Sequence, residues 1–156
     1  MACEEIRGDG EGQVARLTRG TPRGTGQFYL NDRIWIGRVT LVTRMFDRMR
    51  GLLGRRNLPP GEGMLIARCG SIHTVGMRFA IDAVFLDRTW RVCRVCRNLR
   101  PGLPMVWGGW RAAYALEVAS GWLDWRAIAP GTKIEWRVFD LAPNAGVNPQ
   151  TNRPAD

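Results

Sequence analysis

Cys69-Gly70-Ser71-Ile72-His73-Thr74-Val75-Gly76-Met77-Arg78-Phe79-Ala80-Ile81-Asp82-Ala83-Val84-Phe85-Leu86-Asp87 is the stretch on which the reading of this chain turns. Val84, Phe85 and Leu86 are consecutive large apolar residues in a run of only six, 81–86. So short an apolar block is a strand buried on both faces, since a helix of that burial needs more length. Asp87-Arg88-Thr89 then reads as a hairpin turn.

Working outward, residues 90–98 alternate Trp90 and Val92 against Arg91 and Cys93, the pattern of a half-buried strand. Tyr114, Leu116 and Val118 alternate with Ala115, Glu117 and Ala119, and Ile134, Trp136 and Val138 with Glu135 and Arg137. Upstream, 64–67 follows a Pro59-Pro60-Gly61 turn, and 28–30, 34–36 and 38–42 read as short strands broken at Asn31-Asp32 and Gly37. Two short helices are expected. Thr43 can cap one over 44–53, and the second covers 121–129 and stops at Pro130-Gly131. The implied fold is mainly β, a compact β-sandwich or partly closed β-barrel with two short helices. Residues 1–27, with six glycines and few large apolar side chains, read as a flexible arm. The ordered domain is then 28–141, and the Pro/Asn/Gly-rich 142–156 a disordered tail.

The chain of 156 residues, 45% hydrophobic, can build one core. No apolar run approaches the roughly 18 residues of a membrane span. Glu4, Glu5, Arg7 and Asp9 stand where a signal peptide would be apolar, so the expected location is cytoplasmic. A net charge of +9 predicts weak, salt-sensitive attraction to polyanions. The arginines are spread from Arg7 to Arg153 without a block, and no nucleic-acid-binding signature accompanies them, so dedicated nucleic-acid binding is not expected. Cys3, Cys69, Cys93 and Cys96 read as reduced thiols.

Several constellations fail on spacing. Cys69 and His73 with Cys93-x-x-Cys96 superficially resemble a zinc set, but 92–97 has no Gly or Pro and reads as a continuous strand, on which the two thiols diverge. No metal and no cofactor is expected. Cys69, Ser71 and His73 look like a miniature triad, yet Cys69 and His73 stand roughly 13 Å apart along a straight strand, at about 3.3 Å per residue. His73, the single histidine, is a candidate acid-base group or ligand donor. Asp82 interrupts a buried strand and Glu117 sits between two alanines, so each carboxylate needs a partner. Arg78 can supply one, either as an architectural ion pair or at the floor of a pocket. Trp107 and Trp110, in a loop with Pro101, Gly102, Pro104, Gly108 and Gly109, read first as a cap on the core and second as a lid over a ligand.

Residues 45–53 (Met-Phe-Asp-Arg-Met-Arg-Gly-Leu-Leu), Gly63-Met64-Leu65, Cys69-x-Ser71-Ile72-His73-Thr74, Met77-Arg78-Phe79, Ile81-Asp82 through Phe85-Leu86-Asp87, and Leu116-Glu117-Val118 resemble the bacterial and archaeal domain-of-unknown-function family 192. The resemblance covers about residues 28–138, with several motifs in the expected order. It implies a compact β-sandwich or barrel-like domain and brings no catalytic residues. The family's recurring polar positions correspond to Arg50, His73, Arg78, Asp82, Asp87 and Glu117. The chain departs at Gly76, Ala80 and Thr132, where an aromatic, a proline and an aspartate are common. The expected function is a non-enzymatic module holding a small ligand or a peptide with His73, Arg78, Asp82 and Glu117, with Arg50, Ser71, Trp107 and Trp110 as weaker candidates. The alternative is an enzyme using His73 as general base with Asp82 or Glu117. A further alternative is a protein-interaction surface on the Trp-rich loop.

Overall fold

A computed structural model describes residues 23–43 and 52–139. Among these described residues nine strands follow in chain order: β1 Arg23–Leu30, β2 Arg33–Val42, β3 Glu62–Ala67, β4 Ser71–Ile72, β5 Ile81–Leu86, β6 Val92–Leu99, β7 Val106–Trp107, β8 Tyr114–Ala119 and β9 Glu135–Phe139. Seven form one sheet in the order β6-β5-β8-β3-β2-β1-β9, while β4 and β7 form a separate two-stranded ribbon. Only β2–β3 is parallel; the other pairings in the large sheet are antiparallel.

The large sheet curls. Phe28 of β1 and Trp90 just before β6 have ring centroids 5.8 Å apart, although four strands lie between β1 and β6 in the sheet. A flat sheet with about 4.8 Å between strands would hold them far beyond contact. At one end the curl closes: Val92 N donates to Thr132 O, Gly131 N to Val92 O, Ile134 N to Trp90 O, and Arg91 pairs with Lys133. The fold is therefore a mainly β, half-closed barrel, as the strand pattern predicted.

Alternation places one residue set inside the curl and the other outside. The inner core includes Phe28, Ile36, Leu41, Leu65, Val84, Leu86, Trp90, Tyr114, Leu116, Val118 and Trp136. Its aromatics pack on one another, with Trp90 stacked on Tyr114 at 4.5 Å and Phe28 tilted on Trp136 at 4.9 Å. Gly26 is required there, because a Cβ would lie 2.6 Å from the Trp136 ring. The outer core holds Met64, Ile66, Ile81, Ala83, Phe85 and Ala115, covered by Leu52, Leu58, Ile72 and Met77. Ile81–Leu86 is buried throughout because it faces a core on each side.

Three local expectations change. The helix at 121–129 is only a 3₁₀ turn, Trp125–Ala127, capped by Asp124. Leu123 and Ile128, five residues apart, both enter the inner core, which one face of a helix could not arrange. The helix at 44–53 lies almost wholly outside the described residues, and its described end is a turn. Gly37 does not break β2, which runs through it. Residues 23–27, expected in the arm, are the first part of β1, paired to both β2 and β9. The rest of the arm, and the tail, lie outside the described residues.

Candidate functional site

The ribbon β4–β7 gathers more of the expected site residues than any other element. Ser71 lies opposite Trp107 and Ile72 opposite Val106. Ile72 and Val106 pack down on the outer core, so alternation turns Ser71 and Trp107 outward. Continuing the register, His73 and Met105 follow on the same outward side. His73 is exposed and Met105 is 70% exposed. Trp107 and Trp110 meet edge to face at 5.1 Å, and are 42% and 94% exposed. They do not cap the core: Gly108 and Val106 do that, and the rings rise from the far side.

The ribbon is held rigidly. Thr74, fully buried, donates its hydroxyl to Arg100 O and accepts from Leu103 N; its backbone bonds Leu103 O and Gly102 N. Gly108 N donates to Gly70 O and Cys69 N to Ala113 O. An Arg94 guanidinium N–H donates to Trp107 O at 2.7 Å. Gly108 lies so close to Phe85 that a Cβ would fall 2.2 Å from its ring. In the sequence Thr74 stands out only as the residue that follows His73 in the family motif. Its bonds to 100–103 span a loop whose closure no local signal announces. Leu103, Met105 and Val75 are exposed apolar residues on these tied segments.

The carboxylates do not join this surface. Asp82 is buried and fully engaged, accepting from Asn98 N at 2.7 Å, Ser120 Oγ at 3.0 Å and Gly121 N at 2.9 Å. It clasps the ends of β6 and β8. Arg78, exposed, forms no ion pair with it among the described residues. Glu117 pairs laterally with Met64 and Ala83, both outer-core residues, whereas Asp82 lies opposite Val118 of the inner core. The two carboxylates thus leave the sheet on opposite faces. Glu117 makes no hydrogen bond or ion pair among the described residues, and burial pushes its carboxyl up to about 7. Asp87 closes the hairpin turn as expected. Its Oδ1 accepts from Thr89 N, Thr89 Oγ1 and Arg91 N. Burial raises its carboxyl, but these bonds and the Arg111 guanidinium outweigh that and hold it below the usual carboxylate value.

His73 makes no hydrogen bond or ion pair among the described residues. Cys69 turns its thiol to Ser71 O at 3.0 Å. Cys93 and Cys96 do not diverge: a bulge between the Phe85–Arg94 and Leu86–Val92 pairs puts both against the outer core. Strand parity alone could not reveal that bulge. Burial pushes both thiols up, which opposes thiolate chemistry. No group of three or more candidate metal ligands occurs among the described residues, and no helix there is long and apolar enough to cross a membrane. Arg50 lies outside the described residues. An open cavity of about 510 Å³ lies at the β1–β2 hairpin, lined by Leu30, Asn31, Arg33, Ile34 and Trp35. It contains none of the expected site residues.

Comparison with known proteins agrees with the fold. The chain is 34% identical over 113 residues to a UPF0127 protein of Thermococcus sibiricus, covering 68% of this chain and 70% of the relative. Two solved structures superpose with TM-scores of 0.63 at 21% identity. One, described as a "putative transcription regulator" from Sinorhizobium meliloti 1021, matches over 73% of this chain and 93% of its own. The other, a protein of unknown function from Novosphingobium aromaticivorans, matches over 72% and 84%. At that identity the likeness is one of fold. The model of DUF192, described as "Uncharacterized ACR", matches residues 31–136, and the chain belongs to that family.

Proposed function

We propose that the domain is a non-enzymatic binding module that docks a peptide segment of another protein on the outward face of the β4–β7 ribbon. One observation carries this reading: Trp110 and Trp107 stand 94% and 42% exposed on a loop that is otherwise tied down by hydrogen bonds. Exposed rings on a rigid base lose little conformational freedom on binding, which is why Trp recurs among the anchors of interfaces. Burying one such ring removes on the order of 200 Å² from water, a gross gain of about 5 kcal/mol before the costs of association. Small ligands bind in clefts that enclose most of their surface. A ring as exposed as Trp110 suits a partner that supplies its own surface. The enzymatic alternative gains no support from Asp82, whose oxygens are occupied by Asn98, Ser120 and Gly121.

A random-peptide display selection tests the proposal. Selected peptides are expected to shift the backbone amide resonances of residues 71–75 and 103–110, and to lose binding on Trp110→Ala with an unchanged unfolding midpoint. Selected peptides that map elsewhere, or bind Trp110→Ala equally well, would refute it.

A further inference from the structure

The two segments that build the docking face contain no acidic residue. None occurs between Arg68 and Ile81, and none between Arg88 and Leu116. The same segments carry Arg68, Arg78, Arg88, Arg91, Arg94, Arg97, Arg100 and Arg111. The carboxylates that bound them are buried: Asp82, Asp87 and Glu117 are between 1% and 6% exposed. Asp82 and Asp87 also have their oxygens committed locally. Four exposed arginines belong to the ribbon's own surroundings. Arg94 holds Trp107 O, and Arg100 precedes the loop clamped by Thr74. Arg111 follows Trp110 with its side chain 81% exposed and an N–H on Asp87 Oδ2 at 3.4 Å, while Arg78 follows Met77, which bonds Thr74 O. Arg78 and Arg100 form no ion pair or hydrogen bond through their side chains among the described residues.

Resting on the docking reading above, we infer that the occupant is an acidic peptide segment carrying an apolar anchor: its side chain packs on Trp107, Trp110 and Met105, and its carboxylates meet Arg78 and Arg100. The geometry distinguishes this from two other occupants. A second copy of the chain would bring the same arginines against one another, and like charges facing across an interface oppose association. Single-stranded nucleic acid also fits arginine with tryptophan, through bases stacked on parallel ring faces. Here the two rings meet at 83°, and the other exposed apolar residues of the tied segments, Val75, Leu103 and Met105, are not aromatic. Such a surface offers apolar side chains a seat, with no ladder of platforms for bases.

The test uses fluorescence anisotropy with the full chain and four labelled probes. Two are dodecapeptides with a central Leu and Phe, surrounded by Glu in one and by Lys in the other. The third is a Glu-only peptide without the apolar pair, and the fourth an oligothymidylate of similar length. The Glu-rich anchored peptide is expected to bind best, weakening by about tenfold or more on Trp110→Ala, as for an interface hot spot. Arg78→Glu and Arg100→Glu, at exposed positions, should each weaken it severalfold, and added salt should weaken it further. If the Lys-rich peptide binds as well, and the arginine variants change nothing while Trp110→Ala still does, the acidic partner is wrong and the docking face stands. If Trp110→Ala changes nothing for either anchored peptide, the docking reading itself fails. Equal binding of the Glu-only peptide, or tighter Trp110-dependent binding of the oligonucleotide, overturns the inference in favour of bare polyanion attraction or a nucleic-acid surface. A dimer that Trp110→Ala dissociates, seen by sedimentation, overturns it in favour of self-association.

Discussion

Glu117 permits a quantitative test of the fold. Its carboxyl lies in the outer core beside Met64 and Ala83, and burial moves it from an ordinary 4.5 to about 7. Between those values the folded chain keeps a proton that the unfolded chain releases. The contribution of Glu117 to stability is therefore fully present below about pH 4.5 and is lost as pH rises toward 7. At about 1.36 kcal/mol per pH unit, this single group removes roughly 3 kcal/mol over the interval. Glu117→Gln keeps the shape and cannot ionise, so its stability lacks that slope. Urea unfolding of both proteins from about pH 4.5 to about pH 8.5 measures the difference. The variant's advantage over the wild type is expected to grow with pH and to level off at roughly 3 kcal/mol above pH 7. Contributions from Asp87 and other carboxylates cancel in the comparison. A difference independent of pH would refute the reasoning, because Glu117 would then ionise equally in both states.

Three further outcomes follow from the geometry. Asp82→Ala strips the acceptor from Asn98 N, Gly121 N and Ser120 Oγ. A loss of about 3 kcal/mol or more is expected, together with faster hydrogen exchange at the Asn98 and Gly121 amides. Gly108→Ala forces a Cβ into the Phe85 ring, so the loop must lift. We expect about 1–3 kcal/mol of destabilisation and loss of the selected peptides at a fixed, folded temperature. Cys93 and Cys96, with thiols raised by burial, should be alkylated by iodoacetamide near pH 7.5 more slowly than a free cysteine. Mass spectrometry of the native chain checks this, and rapid modification of both would contradict their placement in the outer core.

Strand identity was legible wherever burial wrote a local pattern. Ile81–Leu86 reads as doubly buried because cores lie on both of its faces, and Tyr114–Ala119 shows the period of two that alternation requires. What escaped the sequence depends on long-range bonds. The bulge that turns Cys93 and Cys96 to one side is set by pairing with β5, and the position of Thr74 by a loop some 26 residues away. In sequence Asp82 and Glu117 read as one cluster because both are acids within apolar strands. Whether their strands present them to one face is a matter of register between β5 and β8, which composition does not encode. Ser71 and Trp107, and through Trp107 also Trp110, come together for the same reason in reverse: ribbon pairing joins residues that sequence separation keeps apart.

The pairing of β1 with β9 bears on the order in which the protein can be made. A ribosome delivers β1 well before β9, yet each is the other's neighbour, and the seam at residues 131–134 joins β6 only once that later segment has emerged. Until then Phe28 lacks Trp136 and the inner aromatic cluster is incomplete. Synthesis can accumulate strands but cannot finish the barrel piecemeal. A chain stopped before Glu135 should remain exposed to proteases, and acquire protection abruptly when β9 is present.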